Sequence, residues 1–161
     1  MFATIILLVG LVAVAQLVPA TILLNYRNRM DSSALVFAQR EMDQMLDQPI
    51  NAPGSPPQFT DTLLNICYLG DPASPNTVQG SPVVIVNNQV LIDFAAAPVA
   101  NFSFISLDPA DPSRATYDVR WAVIITGDGT SVSAKRIILG VRQQGGSGYF
   151  QPITLDTVVQ K

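Results

Sequence analysis

The stretch Phe2–Leu24, FATIILLVGLVAVAQLVPATILL, decides how the rest of the chain is read. It holds no charged residue, and its only side-chain hydrogen-bonding groups are Thr4, Gln16 and Thr21. At about 1.5 Å per residue it spans roughly 34 Å as a helix, against about 30 Å of bilayer hydrocarbon. A cleaved secretory signal is expected to open on a basic n-region and to carry a shorter apolar stretch. This run is apolar from the second residue, and its basic neighbours, Arg27 and Arg29, come after it. Taken literally, the positive-inside rule assigns the part beyond them to the cytoplasm. A run beginning at the second residue reads instead as the product of an earlier cut. The expectation is a precursor whose basic leader sets the opposite orientation before removal; a gene with no codons upstream of Met1 overturns it.

Two residues inside the run have structural consequences. Pro19 removes one backbone hydrogen bond and crowds the preceding turn, so a kink or locally melted segment is expected near residues 15–19. Gly10 permits close helix contact, but it has no second small residue at motif spacing.

Helical character continues past Leu24. No Pro or Gly occurs from Asn25 to Gln48, and Leu35, Ala38, Met42, Met45 and Leu46 fall at steps of three and four to make one apolar stripe. Arg40, Glu41, Asp43 and Asp47 lie mostly off that stripe. Pro49 and the segment Asn51-Ala52-Pro53-Gly54-Ser55-Pro56-Pro57 then end the helix. The spacing predicts one helix of about 48 residues, roughly 70 Å long. Residues 1–24 form its apolar part, 25–48 an amphipathic continuation, and 49–161 a globular antiparallel β domain on which that continuation docks. The first half has nothing within the chain to cover it, so it requires lipid or other copies of itself.

Composition narrows the function classes. Of 161 residues 48% are hydrophobic and only 13% charged, about half the usual charged share. Without the apolar run the remainder reads as one ordinary domain. Net charge is −3 with no His, and apart from Arg27/Arg29 and Lys135/Arg136 the basic residues are scattered. A nucleic-acid binder needs a basic face to neutralise phosphates, so no nucleic-acid binding is expected.

The remainder is β-rich. Val83–Val86 and Val90–Ile92 flank Asn87-Asn88-Gln89, a hairpin signal because Asn tolerates the left-handed region. Phe102–Leu107 reads as a short strand. Tyr117, Val119, Trp121 and Val123 alternate with Asp118, Arg120 and Ala122, the pattern of a half-buried strand. Gly127-Asp128-Gly129-Thr130 turns the chain into a strand over 131–141, and Gly145-Gly146-Ser147-Gly148 leads to a last one over 149–159. Asp71–Pro82 reads as a long Pro-containing loop. The fold class is therefore α+β, with a long N-terminal helix packed on one face of an antiparallel sheet.

No enzyme emerges. With no His and one Cys, the usual nucleophile–base pairs and zinc sites are missing. Cys67 reads as a small buried hydrophobe and cannot form an intrachain disulfide. The Gly145–Gly148 segment lacks the lysine of a phosphate loop and reads as a hairpin connection. Asp108 and Asp111 sit in a Pro-rich turn with Asp118 just beyond, the one group able to ligate calcium. Aspartates before prolines in turns are commonplace, and neither metal nor cofactor is expected. Asn101-Phe102-Ser103 matches a glycosylation acceptor, a pattern with a high false-positive rate.

The order of these parts resembles the type IV pilin and type II secretion pseudopilin superfamily. The resemblance is carried by Phe2-Ala3-Thr4-Ile5-Ile6-Leu7-Leu8, by Pro19, and by the stretch Ala34-Leu35-Val36-Phe37-Ala38-Gln39-Arg40-Glu41-Met42-Asp43-Gln44-Met45-Leu46. That second stretch is similar to the Ala-Gln, acidic-Met, Leu pattern of minor pilins. Tyr117-Asp118-Val119-Arg120-Trp121 and Lys135-Arg136-Ile137-Ile138 resemble a strand pair of the same branch. One departure stands out: the family usually has a glutamate five residues into the mature chain, and here that slot holds Ile5, or Ile6 if Phe2 is counted first. The family's common C-terminal disulfide is also impossible with one Cys.

The resemblance implies a structural, non-enzymatic subunit. A leader peptidase trims the precursor, the helix waits in the inner membrane, and assembly machinery bundles copies into an extracellular filament. Apolar burial of Leu, Ile and Val, worth about 1.5–3 kcal/mol each, stabilises the shaft. The assembly residues so implied are Met1, Phe2, Ile5, Ile6, Leu7, Leu8, Leu11, Val12, Leu17, Pro19, Leu23 and Leu24, and the partner is the chain itself. The alternatives are a minor pilin or secretion pseudopilin, and a single-pass membrane-anchored binding module.

Overall fold

The computed structural model describes residues 2–51, 54–107, 116–145 and 148–160. Along the N-terminal helix it describes side chains from Gly10 onward, except at 12–14, 16, 18, 20, 23, 27 and 30. The architecture is α+β with antiparallel strand pairing throughout the described ladders. One helix, α1 (Phe2–Leu46), precedes β1 (Gln58–Thr60), β2 (Ile66–Tyr68), β3 (Val78–Gly80), β4 (Val83–Val86) and β5 (Gln89–Ile92). Then come β6 (Ser103–Leu107), β7 (Thr116–Gly127), β8 (Val132–Gly145), β9 (Gly148–Tyr149) and β10 (Ile153–Gln160). The chain divides into two compact units, Met1–Ser33 and Ala34–Lys161.

The first unit is helix alone. Its hydroxyls cause no conflict with the helix, because Thr21, Ser32 and Ser33 donate to the carbonyls of Leu17, Asn28 and Arg29 at 3.0, 2.9 and 3.0 Å. The helix runs through Pro19 without interruption, so the locally melted segment expected near residues 15–19 does not form. Proline removes one backbone hydrogen bond there without ending the helix.

The second unit is organised around β7 and β8, paired from Thr116↔Gln144 to Gly127↔Val132 with a register shift at Thr126/Gly127. The turn between them is held by Asp128, whose carboxylate accepts from the Thr130 and Ser131 amides at 2.9 and 2.7 Å and from both hydroxyls. Those hydrogen bonds hold its carboxyl well below the usual range. β10 continues the sheet beyond β8. On the other side of β7 two short strands lie end to end, β6 against 116–120 and β3 against 122–124.

Alternation then assigns the two faces. Tyr117, Val119, Trp121, Val123 and Ile125 join Ile137, Leu139 and Val141 in one core cluster with Ala34, Phe37, Ala38, Met42 and Met45 of α1. Trp121 is fully buried and its Nε1–H donates to Tyr68 O at 2.9 Å, so the largest side chain in the core leaves no polar atom unpaired. Phe37 stacks on Tyr117 with centroids 4.4 Å apart and 13° between planes.

The sheet face turned away from α1 is also covered, which the one-sided expectation missed. The hairpin β4–β5 forms a separate two-stranded sheet with the register Val86↔Gln89. Its two-residue turn is Asn87-Asn88, with φ of 51° and 63°, the left-handed pair that matches strand twist in a tight hairpin. Ile92 packs on Ala122 and Ile138, flanked by Val83, Val90, Phe94 and Ile124. Gly140 makes this possible: a Cβ there would lie 2.8 Å from Ile92 Cβ and 3.0 Å from the Phe94 ring.

Four further readings are corrected. Leu35 is exposed at 38%, because the buried stripe runs through Ala34, Phe37, Ala38, Glu41, Met42 and Met45, leaving Leu35 on its flank. Glu41, expected off the stripe, is 1% exposed within it. The helix ends at Leu46, short of Gln48, although Asp47 N–H still bonds Asp43 O at 2.9 Å. The segment 71–82 is not wholly loop, since β3 lies in it, and β1–β2 form an additional hairpin.

Candidate assembly surface and the buried charges

The residues assigned to assembly fall into two groups. Leu11, Leu17 and Leu24 are exposed at 67%, 61% and 58%, and Ile22 beside them at 64%. Pro19 is exposed as well. Met1 lies outside the described residues, as do the side chains of Phe2, Ile5, Ile6, Leu7, Leu8, Val12 and Leu23. Among the described residues no helix is long and apolar enough to cross a membrane. Within the first unit, then, large aliphatic side chains stand uncovered where a folded core would bury them. Such a surface favours association.

The packing residues of the second unit behave differently. Ala38, Met42 and Met45 are buried and Leu46 half-buried, with Leu35 the exception already given. At the centre of that stripe Glu41 is paired with Arg40, Nη2 to Oε1 at 3.2 Å, and the Arg40 guanidinium also lies 4.7 Å from the Phe37 ring centroid. A carboxylate so placed needs its partners, because an isolated buried charge is costly.

Of the three aspartates weighed as calcium ligands, the structure describes only Asp118. Asp108 and Asp111 lie outside the described residues. Asp118, which alternation alone places on a half-solvated face, is 3% exposed and occupied by two guanidinium groups. Arg120 approaches in a fork, Nε to Oδ1 at 3.0 Å and Nη2 to Oδ2 at 3.1 Å, while Arg142 Nη2 reaches Oδ2 at 2.8 Å. Arg120 Nη1 donates to Ala96 O at 2.7 Å. The Phe94 ring closes the cluster, 5.1 Å from the Arg120 guanidinium and 4.6 Å from that of Arg142. Among the described residues no three His, Cys, Asp or Glu gather as metal ligands. The cluster fastens the 93–101 segment to the sheet. Its partner Phe94 carries no sequence signal, since nothing in the spacing links it to residues 118–142.

The remaining titratable groups do structural duty. Cys67 is fully buried; burial first, then the Asp61 and Glu41 carboxylates, push its thiol far above the ordinary range, so it stays protonated and unreactive. Asp61 is committed to its own turn, accepting from the Leu63 and Asn65 amides at 2.9 and 2.7 Å and from Asn65 Nδ2 at 2.9 Å. That turn presents Leu64 at φ 67° and 83% exposed. Lys135 is buried to 4% exposure, and burial lowers its ammonium from 10.5 to about 8. Arg136 binds Asp156 at the surface, with contacts of 3.0 and 2.6 Å that raise its guanidinium further. The hydroxyl–carboxylate contacts of Thr130 and Ser131 with Asp128 lie in an exposed turn. No family profile, characterised protein or solved structure matches the chain.

Proposed function

We propose that this chain is the structural subunit of a type IV pilus-like extracellular filament, held in the inner membrane before assembly and built into the filament through its N-terminal helix. The observation that carries the reading is the contrast along α1. Leu11, Leu17, Ile22 and Leu24 stand 58–67% exposed, whereas from Ala34 onward the stripe is buried against a sheet. A 45-residue helix is far longer than docking on this sheet requires. Its surplus is apolar, and in water an apolar surplus is stabilised only by lipid or by further copies.

The reading assigns the subunit a structural role and no catalytic one. The subunit's partners are other copies, a leader peptidase and an assembly machine, and the sheet domain forms the outer surface. Ile5 and Ile6 stand where the resembled family keeps its glutamate, so docking here rests on apolar contact and on charges farther along the helix.

The test is electron microscopy of material sheared from cells producing the full-length protein, with immunogold labelling against the sheet domain. Labelled filaments along their whole length are expected. Labelling confined to tips or bases identifies a minor subunit or pseudopilin. Membrane-bound monomers with no filaments overturn the reading in favour of a tethered binding module.

A further inference from the structure

Two described helix surfaces complement each other in spacing and in charge. In the unit Ala34–Lys161, a shallow groove of about 620 Å³ lies along the outer side of α1, lined by Val36, Gln39, Arg40, Asp43, Gln44 and Asp47. Val36 is 66% exposed, and Asp43 and Asp47 are exposed with no ion-pair partner among the described residues. Arg40, which also lines the groove, is paired with Glu41. In the unit Met1–Ser33, Ile22 is 64% exposed and Arg29 is exposed, likewise with no ion-pair partner among the described residues.

Ile22 and Arg29 are seven positions apart, as are Val36 and Asp43. Seven residues make about two helical turns, so within each unit the apolar residue and the charged residue share a face. We propose that the groove at Val36 and Asp43 receives the Ile22–Arg29 face of a second copy, the two helices running parallel. One alignment then satisfies both contacts: Ile22 meets Val36 while Arg29 meets Asp43, with Asp47 one turn beyond. An antiparallel alignment sets Ile22 against Asp43 and Arg29 against Val36, losing both. With two aspartates against one arginine the groove is net acidic, which disfavours phosphate-bearing lipids and nucleic acids and draws in a basic helix face. Because the surface offered and the surface receiving differ, each copy keeps one of each for the next, and the contact propagates as an open polymer. This pairing rests on the filament reading and specifies the register within it.

The experiment co-produces full-length Ile22→Cys and Val36→Cys copies and oxidises their sheared filaments under mild conditions. Native Cys67 is buried and protonated, and each variant alone serves as its control. Disulfide-linked dimers are expected only when the two copies are mixed. In parallel, Arg29→Asp is expected to lower filament yield about tenfold, the scale of reversing one exposed ion pair in a repeated contact. Adding Asp43→Arg to Arg29→Asp restores it. Filaments that form normally but yield no mixed dimer overturn the register while leaving the filament reading standing. So does an Arg29→Asp loss that Asp43→Arg does not restore. Absence of filaments from the unmodified chain removes both.

Discussion

The two ends of α1 present the same kinds of side chain to opposite surroundings. Leu11, Leu17 and Leu24 are exposed at 67%, 61% and 58%, while Phe37, Ala38 and Met45 are exposed at 2%, 0% and 3%. Helix propensity does not separate them, since both stretches are rich in good helix formers. What separates them is whether the chain supplies a surface to bury them against. The unit Ala34–Lys161 supplies its own, the face of β7 and β8 that carries Tyr117, Val119, Trp121, Ile137 and Leu139. The unit Met1–Ser33 supplies none, and its stability in water is a matter of company.

The comparison breaks most decisively by cutting it. A chain beginning at Ala34 is expected to lose filament formation entirely while remaining folded and monomeric, checked by analytical ultracentrifugation and a cooperative thermal melt. If that fragment is unfolded or oligomeric, the self-sufficiency of the second unit is wrong. A smaller effect tests what fastens its 93–101 segment. Asp118→Ala leaves Arg120 buried without its carboxylate and is expected to cost about 3 kcal/mol in denaturant unfolding. Replacing Asp118, Arg120 and Arg142 together with apolar residues of similar size costs much less, because no charge is then stranded. Equal losses in the two variants would show that packing, not charge, sets the cost.

Gly140→Ala comes next. Its new Cβ meets Ile92 Cβ and Cγ1, both at 2.8 Å, so the hairpin must lift, at an expected 1–3 kcal/mol by overpacking of about that size. A stability unchanged from the parent would show that the hairpin rides loosely on the sheet. The smallest effect concerns Lys135. The unfolded chain keeps its ammonium up to about pH 10.5 and the folded chain only to about 8. The unfolded state therefore binds more protons between those values, and stability rises with pH across that window. Lys135→Met should abolish that slope and stabilise the protein at pH 7 by about 1 kcal/mol, a figure already reduced for solvent screening. A slope that persists in Lys135→Met assigns it to another group.

Much of this arrangement was legible from short-range pattern. The alternation over 117–123 located β7, and the Asn87-Asn88 turn located its hairpin to within a residue. The α+β class followed from one helical stretch and several strands. What was not legible depends on contacts across long sequence separations. β3 is three residues long and gains its strand character only from pairing with β7. Asp118 and Arg120 look like solvent-facing alternates until Phe94 and the 93–101 segment cover them, and no local signal announces that cover. Leu35 and Phe37 both fit a helical stripe at three- and four-residue steps. The choice between them was made by Tyr117, eighty positions away in the chain. The exposed apolar stretch of α1 was legible as an uncharged run, whereas which helix face the sheet leaves uncovered was not.

The stacked pair Phe37 and Tyr117 also constrains the order of manufacture. The helix is translated first, yet the strands that bury its stripe, β7, β8 and β10, are encoded in the final third of the chain. A nascent chain halted before Thr116 holds Ala34, Phe37, Met42 and Met45 with no sheet to close upon. Long loops are slow to close, whereas β7, β8 and β10 are sequential neighbours that pair locally. Tail first and helix last is the order this topology favours, so the helix stripe closes only after β7, β8 and β10 have emerged.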